Sequence, residues 1–212
     1  ARIGKLEKFE LMPPGLEIGK LPNKRDSKVF YGLSPETLQC AFIGRVTQIK
    51  RPDRLLEIAA ALVKREVAIH FLVAGEGELF ESSKARAEGK QLNMTFLGWR
   101  SDIAQIFAAS DIAILTSDNE GIPLTLIQAA QAGLPIVATQ VGSISDIVIS
   151  ESTGYLTSKS ALDMADAIEK LVRDAQLRKI MGEAGRARAT QYFSLERMLK
   201  DHADLYRSLR IT

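Results

Sequence analysis

The stretch that decides the fold runs from residue 39 to residue 78 and reads QCAFIGRVTQIKRPDRLLEIAAALVKREVAIHFLVAGEGE. It contains two short apolar runs, Gln39–Ile43 and 68–73, separated by a segment of helical period at 53–65. Apolar residues recur in that segment so that they share one helix face. A strand, a helix and a second strand at this spacing predict a βαβ unit with parallel strands. The apolar helix face consists of Leu55, Leu56, Ile58, Ala59, Leu62 and Val63.

The same alternation continues on both sides of this unit. Segments of helical period at 101–109 and 124–132 lie between further short apolar runs. Runs that are apolar throughout are typical of strands buried on both faces, as in parallel sheets. We therefore predict an α/β fold, a Rossmann-like doubly wound parallel sheet. The further strand candidates are 8–12, 94–97, 111–115, 135–139 and 154–156.

The chain is predicted to form a single domain over residues 1–212, in three sections. Residues 1–38 supply a first strand and a long connection rich in Pro, Gly, Lys and Ser, and residues 39–160 form the Rossmann-like core. Residues 161–212 show only helical patterns. The last of these, 195–210, has an apolar face that either packs on its own domain or reaches across to a partner domain. The two earlier tail helices are predicted at 161–174 and 177–191.

Composition excludes several classes of protein. The 212 residues are 46% hydrophobic and 25% charged, a balance typical of a globular chain. The net charge is +2, and the Lys and Arg residues are spread along the chain rather than clustered. We therefore expect no nucleic-acid partner. The lone Cys40 precedes an apolar run, which indicates a buried thiol rather than a reactive one. Because one cysteine allows no internal disulfide, the composition favours a reducing, cytoplasmic location.

Targeting signals are not visible in the sequence. No run approaches the roughly 18 apolar residues that a membrane-spanning helix needs, and the N-terminus has no signal-peptide layout. The sequence starts at Ala1, without a methionine and in a charged stretch. We therefore expect it to be cut from a longer protein.

Candidate ligand-binding residues follow the first core strand. In an open parallel sheet, ligands bind where loops leave the carboxyl ends of the strands. Gly44 permits a sharp turn there, and Arg45 and Lys50 place two cations at the mouth of the sheet. Two such cations match a diphosphate, because arginine forks onto two oxygens and lysine acts as a point charge. The alternative is a pair of solvated charges ahead of a helix.

The next two loops carry weaker signals. Gly75 and Gly77 would let a nucleotide approach the backbone closely, although a plain tight turn explains the pair as well. Trp99, the only tryptophan, either lies against a ligand together with Arg100 or is a core or interface residue. Ser101 or Asp102 is expected to cap the helix that follows.

The loop at 116–125 carries the largest number of polar candidates. Pro123 is expected in the first turn of a helix, which leaves the amides of Leu124 and Thr125 free to bind an anion. Glu120 either hydrogen bonds sugar hydroxyls or pairs with the helix dipole. One turn further, Gln128 both donates and accepts hydrogen bonds, which matches a diol.

Other chemistries are less well supported by the sequence. Asp118 and Glu120 could share a divalent ion with phosphates, but the two cations already offer that charge, so we expect no metal and no cofactor. His70 and His202 lack partners for catalysis or ligation and are expected to be structural. No Ser-His-Asp set, zinc spacing or phosphate-binding P-loop is visible.

At these residues the sequence resembles the C-terminal, nucleotide-sugar-binding domain of GT-B fold retaining glycosyltransferases, known as group 1 or family four. The resemblance runs from about residue 9 to residue 209, and the ordered set of motifs is more specific than any one of them. The motifs that carry it are Met12-Pro-Pro-Gly-Leu-Glu17, Gly44-Arg45 with Lys50, Ala74-Gly-Glu-Gly77, Phe96-Leu-Gly98 with Trp99 and Arg100, the segment from Glu120-Gly121-Ile122-Pro123 through Gln128 to Pro135, Val141-Gly142 and Thr153-Gly154.

The resemblance implies a function for each of these groups. Arg45 and Lys50 would bind the donor diphosphate, Glu120 would orient the donor sugar, and Gln128 would bind the ribose. Trp99 and Arg100 fall where the family holds the base, largely through backbone groups. The remaining candidate donor-binding residues are Gly44, Gly75, Gly77, Gly121, Ile122, Pro123, Leu124 and Thr125.

The implied reaction moves a hexosyl unit from a nucleotide-sugar donor to a hydroxyl acceptor in polysaccharide or glycolipid synthesis. Among nucleotide sugars, the resemblance favours a UDP-sugar. Electrostatic stabilisation of the departing diphosphate would be the main catalytic effect, without a metal. The acceptor, a glycan or lipid-linked glycan, would bind an N-terminal domain that is absent here, so the isolated domain is expected to be inactive. The family also implies peripheral association of the full-length protein with the inner face of the membrane.

One departure from the family concerns the second of two glutamates spaced eight positions apart, which is Gln128 here. Glutamine keeps the hydrogen bonds to a ribose but loses their charge assistance. A second departure is Pro123, which replaces the usual glycine. The alternatives left open are a UDP-sugar epimerase of the same shape, a non-catalytic nucleotide-binding module and a nicotinamide-dependent oxidoreductase. The absence of a three-glycine fingerprint argues against the last.

Overall fold

The computed structural model describes residues 9–209. Its strands are β1 (Gln39–Ile43), β2 (His70–Ala74), β3 (Met94–Gly98), β4 (Ile112–Leu115), β5 (Ile136–Thr139) and β6 (Gly154–Thr157). The helices are α1 (Lys24–Phe30), α2 (Pro52–Lys64), α3 (Phe80–Gly89), α4 (Ile103–Ala109), α5 (Leu124–Gln131), α6 (Ile144–Ile147), α7 (Ala161–Arg173), α8 (Ala175–Phe193) and α9 (Leu195–Leu209), with a short 3-10 helix at Gln48–Lys50.

The strands form one parallel sheet in the order β3-β2-β1-β4-β5-β6. The chain builds outward from β1 through β2 to β3, then crosses back and builds through β4 and β5 to β6. The direction of winding therefore reverses between β1 and β4, and in folds of this type that reversal opens the ligand crevice. The predicted doubly wound, Rossmann-like α/β fold is confirmed.

Successive side chains along a strand point to opposite sides of the sheet. Because the central strands are apolar throughout, both faces of the sheet are apolar. In β1, Cys40 and Phe42 pack on the side of α2 and α7, whereas Ala41 and Ile43 pack on the side of α4, α5 and α8. All five β1 residues are buried. The continuous apolar runs in the sequence therefore mark strands that are covered by helices on both sides.

Helices α1 and α3 lie where the sequence predicted none, and so does the one-turn helix α6. The structure places α1 inside the predicted connection at 13–38, and α3 follows β2. The buried residues of α1 are Ser27 and Lys28, and those of α3 are Ser83 and Ala87. Neither helix has an apolar stripe, so neither produces a helical hydrophobic pattern. Residues 9–12 form no strand, and residue 8 of the predicted first strand lies outside the described residues.

Helix α9 leaves part of its apolar face exposed to solvent. None of its residues is buried, and Leu199 and Tyr206 are 59% and 65% exposed. Its first turn contacts the start of the described chain, where the amide of Gly15 donates to Met198 Sδ at 3.1 Å and Arg197 donates to the carbonyl of Pro13. Packing on its own domain therefore leaves part of this face uncovered, and contact with a second domain stays a prediction.

Three residues set aside by the sequence analysis occupy structural positions. Cys40 is fully buried, and burial raises the pKa of its thiol. His202 Nδ1 pairs with the carbonyl of Met198 at 2.8 Å within α9. His70 Nε2 pairs with Thr95 Oγ1 at 2.9 Å, between β2 and β3. Across residues 9–209, no helix is both long and apolar enough to cross a membrane.

His70 predicts a specific pH dependence of stability. Burial lowers the pKa of its imidazole in the folded chain, so the unfolded chain binds a proton more readily. Stability contributed by neutral His70 is fully present above the ordinary histidine pKa of about 6.5 and falls as the pH drops below it. We expect His70→Gln to flatten this loss. Urea unfolding of parent and variant at pH 7.5 and pH 5 measures it, and an equal loss in both chains would contradict the assignment.

Candidate functional site

The predicted site residues gather at the carboxyl edge of the sheet, on both sides of the winding reversal. The loop after β1 supplies Arg45 and Lys50, and the loop after β4 supplies Glu120. These loops are far apart in sequence, yet Lys50 Nζ and Glu120 Oε1 form a salt bridge. Because β1 and β4 are neighbours, the fold itself brings the two groups together.

Glu120 is held by two donors that share one of its oxygens. Lys50 Nζ and Ser117 Oγ both donate to Oε1, while Oε2 accepts no hydrogen bond from the residues that the structure describes. The side chains of Lys50 and Glu120 are 16% and 10% exposed. The opposite charges of Lys50 and Glu120 therefore balance each other in a largely buried position. Oε2 of Glu120 is left to accept a hydrogen bond from a ligand.

The loops after β1 and β4 are also tied to each other through backbone groups. Thr116 Oγ1 donates to the carbonyl of Lys50 at 2.7 Å, and the amide of Asp118 donates to the carbonyl of Ile49 at 2.9 Å. Thr116 and Ser117 are fully buried. The backbone that carries Lys50 is consequently fixed against the loop that carries Glu120.

Asp118 is the centre of an ion-pair network beside the site. Arg54 Nη2 donates to its Oδ1 at 2.8 Å and Arg51 Nη1 donates to its Oδ2 at 2.9 Å. Hydrogen bonds from Arg54 and Arg51 hold the pKa of this carboxyl below its usual value. Both oxygens are thus occupied, and the described residues contain no group of three or more His, Cys, Asp or Glu arranged to hold a metal. Asp118 braces the two loops instead.

Arg45 differs from Lys50 in having no side-chain hydrogen bond or ion pair with residues 9–209. It is exposed and lines two adjoining cavities. One, of about 550 Å³, is also lined by Thr47, Gln48 and Asp118. The other, of about 380 Å³, opens toward β2 and β3. Arg45 is a free cation between these two spaces, available to an anionic ligand.

The 380 Å³ cavity has mainly apolar walls. Ile43, Ala74 and Ile103 line it together with the backbone of the Gly75 loop, and Trp99 and Arg100 form its outer rim. Trp99 is 69% exposed, so it is not a core residue of the described chain. An apolar slot with a cation at one end matches a flat ring that carries an anionic tail.

Helix α5 begins at Leu124, where the predicted segment of helical period begins, but Pro123 does not lie in its first turn. Pro123 is extended, with φ −73° and ψ 107°, and occupies the N-cap rather than the first helical turn. The first amide bonded back to it is that of Leu126. The amides of Leu124 and Thr125 donate to no carbonyl within the described residues, and they end the loop that carries Glu120. They are two further donors for an anion.

The remaining candidates on this loop and helix have different surroundings. Gly121 is exposed, and a Cβ added to it would meet nothing within 4 Å. Ile122 packs against the apolar core. Gln128 is half-buried on α5 and its side chain makes no hydrogen bond within the described chain. Gln128 is therefore available to a ligand, whereas Ile122 anchors the loop.

The glycines of the site serve loop packing more than ligand approach. A Cβ on Gly75 would lie 2.0 Å from the carbonyl oxygen of Gly44, and one on Gly77 would lie 2.4 Å from that of Val46. Gly44 has no positive φ, and its Cβ would meet only Lys50 Cε, at 3.9 Å. Either close approach of a nucleotide or a plain tight turn was expected at Gly75 and Gly77; in the structure, the loop after β2 lies close to the loop after β1 at both glycines.

The sequence analysis assigned no role to Thr116, Ser117, Arg51 or Arg54. Arg54 is only 3% exposed and lies within the otherwise apolar buried face of α2. It also donates to the carbonyl of Thr116. A charged residue within an apolar stripe is a readable signal, because a buried cation needs fixed acceptors. Ser117 gives no such signal, since a serine in a loop is common.

A family model described as "Glycosyl transferases group 1" matches residues 23–188. This chain belongs to that family. It is 27% identical over 214 aligned residues to N-acetyl-alpha-D-glucosaminyl L-malate synthase of Bacillus anthracis, covering 94% of this chain and 56% of that protein.

Solved glycosyltransferases share the architecture. S. aureus TarM, in complex with fondaparinux, alpha-GlcNAc-glycerol and UDP, superposes with a TM-score of 0.79 at 25% identity, covering 95% of this chain and 41% of that one. The C-terminal domain of a group 1 glycosyltransferase, LpcC of Francisella tularensis, superposes with a TM-score of 0.73 at 22% identity, covering 82% and 94%. The chain has the fold of this GT-B glycosyltransferase domain and spans about half the length of its first curated relative.

Proposed function

We propose that this chain is the donor-binding half of a retaining glycosyltransferase. It takes a hexosyl unit from a nucleoside-diphosphate sugar, a UDP-sugar, and passes it to a hydroxyl group of a glycan or lipid-linked glycan in polysaccharide or glycolipid synthesis. A second, N-terminal domain supplies the acceptor site, and the intact protein works in the cytoplasm at the inner face of the membrane. Membership of the group 1 family supports the coarse chemistry, and TarM provides a relative of similar fold bound to UDP.

The observation that carries the proposal is the group of donors at the reversal between β1 and β4. A free cation, Arg45, stands near a paired cation, Lys50, and the two unpaired amides of Leu124 and Thr125 end the neighbouring loop. A diphosphate accepts from several such donors at once. Next to them, the carboxylate of Glu120 offers Oε2 as an acceptor, which matches a sugar hydroxyl rather than a phosphate.

The proposed chemistry is electrostatic. As the bond between the anomeric carbon and the phosphate oxygen breaks, its electron pair leaves with the diphosphate and positive charge develops on the sugar. Arg45, Lys50 and the two amides stabilise the charge on the leaving group. Because the backbone that carries Lys50 is already fixed against the neighbouring loop, this donor needs little reorganisation when charge develops. In this proposal they replace a metal ion, and the reaction proceeds without one.

The rest of the donor is distributed over the remaining groups. The base enters the apolar 380 Å³ cavity between Gly75 and Trp99, and Gln128 meets the ribose. Glu120 holds the sugar through Oε2 while Ser117 and Lys50 hold Oε1. Each part of a nucleoside-diphosphate sugar therefore meets a group of matching chemistry.

Calorimetric titration of the intact protein with UDP, GDP and ADP, with and without magnesium, tests this proposal. We expect binding of UDP that does not need magnesium. Arg45→Ala should weaken UDP binding about 10- to 100-fold, because one charge-assisted contact to a charged ligand contributes about 1.5–3 kcal/mol.

Arg25→Ala is the matched control, since Arg25 is also an exposed arginine and lies on α1. It should leave UDP affinity unchanged. Absence of binding to all three nucleotides would overturn the donor-binding assignment, and an equal loss in Arg25→Ala would remove Arg45 from the site. Release of UDP and an epimerised sugar without an acceptor would instead indicate the epimerase.

A further inference from the structure

Tyr31, at the C-cap of α1, meets two side chains of the turn at 98–102, those of Arg100 and Asp102. Tyr31, at the end of α1, donates through its hydroxyl to Asp102 Oδ2 at 2.9 Å. Arg100 forks onto the same carboxylate, with Nε 2.7 Å from Oδ1 and Nη2 bonded to Oδ2. The guanidinium also lies over the Tyr31 ring, with its Cζ 5.8 Å from the ring centre. The three groups form a closed set in which every partner contacts the other two.

Asp102 bonds to Arg100 and Tyr31 instead of capping helix α4. It occupies the N-cap of α4, where an aspartate normally accepts from the helix amides. Here its side chain makes no such bond, because both carboxylate oxygens accept from Arg100 and Tyr31. The hydrogen bonds from Arg100 hold the pKa of Asp102 below its usual value, and burial followed by the bond to Asp102 raises the pKa of Tyr31. Either Ser101 or Asp102 was expected to cap this helix, and the structure shows Asp102 bracing the turn instead.

The turn is fixed from its other side as well. The amide of Gly75 donates to the carbonyl of Gly98 at 2.7 Å, and Glu76 Oε1 accepts from the amide of Trp99 at 3.3 Å. Gly98 itself has a φ of +68°, in the left-handed region. In contrast, the amide of Arg100 donates to no carbonyl or side chain among residues 9–209. Backbone donors, the amide of Arg100 among them, therefore remain open on this turn.

This turn forms the outer wall of the apolar cavity beside Arg45. We propose that Tyr31, Arg100 and Asp102 are positioning residues that hold the backbone of this turn so that it recognises the edge of the nucleobase. The inference rests on the proposed function, because it assigns the base to that cavity. Arg100 acts through its backbone here, since its guanidinium is already engaged by Asp102 and Tyr31.

A fixed backbone edge gives selectivity that a cation would not. A guanidinium attracts any anion, whereas an amide at a set position favours a ring whose acceptor faces it. A ring that lacks that acceptor leaves a buried polar atom unpaired, which lowers its affinity. If the brace is loosened, the phosphate contacts persist while recognition of the base weakens.

Tyr31→Phe tests the inference, because it removes one hydroxyl and retains the ring under Arg100. We expect the intact protein to lose about 3- to 10-fold in UDP affinity, the range for one neutral hydrogen bond between the turn and the base, with inorganic pyrophosphate binding unchanged. Asp102→Asn should lower UDP affinity further, since it weakens the hydrogen bonds from both Tyr31 and Arg100. Calorimetry measures both ligands, and amide hydrogen exchange at residues 98–101 should quicken in both variants without any ligand.

Tyr192→Phe is the matched control, because Tyr192 also has an arginine, Arg188, over its ring at 4.8 Å but lies on α8. It should change neither affinity. Parallel loss of UDP and pyrophosphate binding in Tyr31→Phe would overturn the inference in favour of general loosening, and so would an unchanged UDP affinity. A parent protein that binds pyrophosphate but no nucleotide would overturn the proposed function itself, and this inference with it.

Discussion

Lys50→Ala is expected to lower kcat of the intact enzyme about 100- to 1,000-fold, the range for loss of one preorganised electrostatic donor. The physical reason is twofold. The variant loses a cation that would face the leaving diphosphate, and it strands the Glu120 carboxylate, which is only 10% exposed, without its ion-pair partner. An unpaired buried carboxylate then repels the phosphates. Steady-state rates with a nucleotide-sugar donor measure the loss.

The structure predicts that part of this loss is recoverable. In Lys50→Ala with Glu120→Gln, the amide removes the stranded charge and its oxygen still accepts from Ser117. UDP should therefore bind the double variant more tightly than the single one, although turnover stays low. Lys84→Ala, an exposed lysine on α3, serves as the control. Strictly additive effects of the two substitutions on UDP affinity would contradict the assigned coupling.

Gly142→Ala should lower the free energy of unfolding by about 2–5 kcal/mol and displace Glu120 as well. Gly142 has a φ of +52°, where a side chain costs about 1–2 kcal/mol. Its Cβ would also lie 1.8 Å from the carbonyl oxygen of Glu120, and overpacking of this kind costs about 1–3 kcal/mol. Because the clash is with backbone, no side-chain rotation relieves it. Urea unfolding and donor turnover together measure both effects.

Two other glycines separate the conformational cost of a positive φ from the cost of the clash. Gly19→Ala has a φ of +78° but no atom within 4 Å of the added Cβ, so it should show the conformational cost alone. Gly89→Ala, at the end of α3, has neither a clash nor a positive φ and should stabilise the chain by roughly 0.5–1 kcal/mol. If Gly142→Ala costs no more than Gly19→Ala, the loop has moved away and the close approach to Glu120 does not constrain it.

The fold was predictable because its strands are buried on both faces. A run such as Gln39–Ile43 is apolar at four of its five positions, and α2 between two such runs has a clear apolar stripe. Helices α1 and α3 were not predictable, since the residues they bury are mostly polar or small. Lys28, for example, is 3% exposed because it pairs with Asp111 from the loop before β4. Such a long-range partner leaves no local pattern.

The site was predictable as a set of loops and less so as a set of contacts. Loop positions follow from strand order, which is why Lys50 and Glu120 could be named together. The hydrogen-bond partners depend on side-chain geometry: Asp102 could have capped α4, and the structure shows it bonded to Tyr31 instead. Tyr31 lies in a segment whose helix the pattern did not reveal. Residue type narrows the possible partners, and only packing selects among them.

The position of β1 has a consequence for the order of folding during synthesis. This strand is flanked by β2 on one side and β4 on the other, and all its residues are buried. Until the ribosome has made residues 112–115, one edge of β1 carries unpaired amides and carbonyls on an apolar strand, the arrangement that invites aggregation. The growing chain therefore passes through a vulnerable interval that ends only when β4 pairs with β1. Pairing of β4 with β1 also brings Glu120 beside Lys50. The strand pairing that protects the growing chain from aggregation therefore also assembles the site.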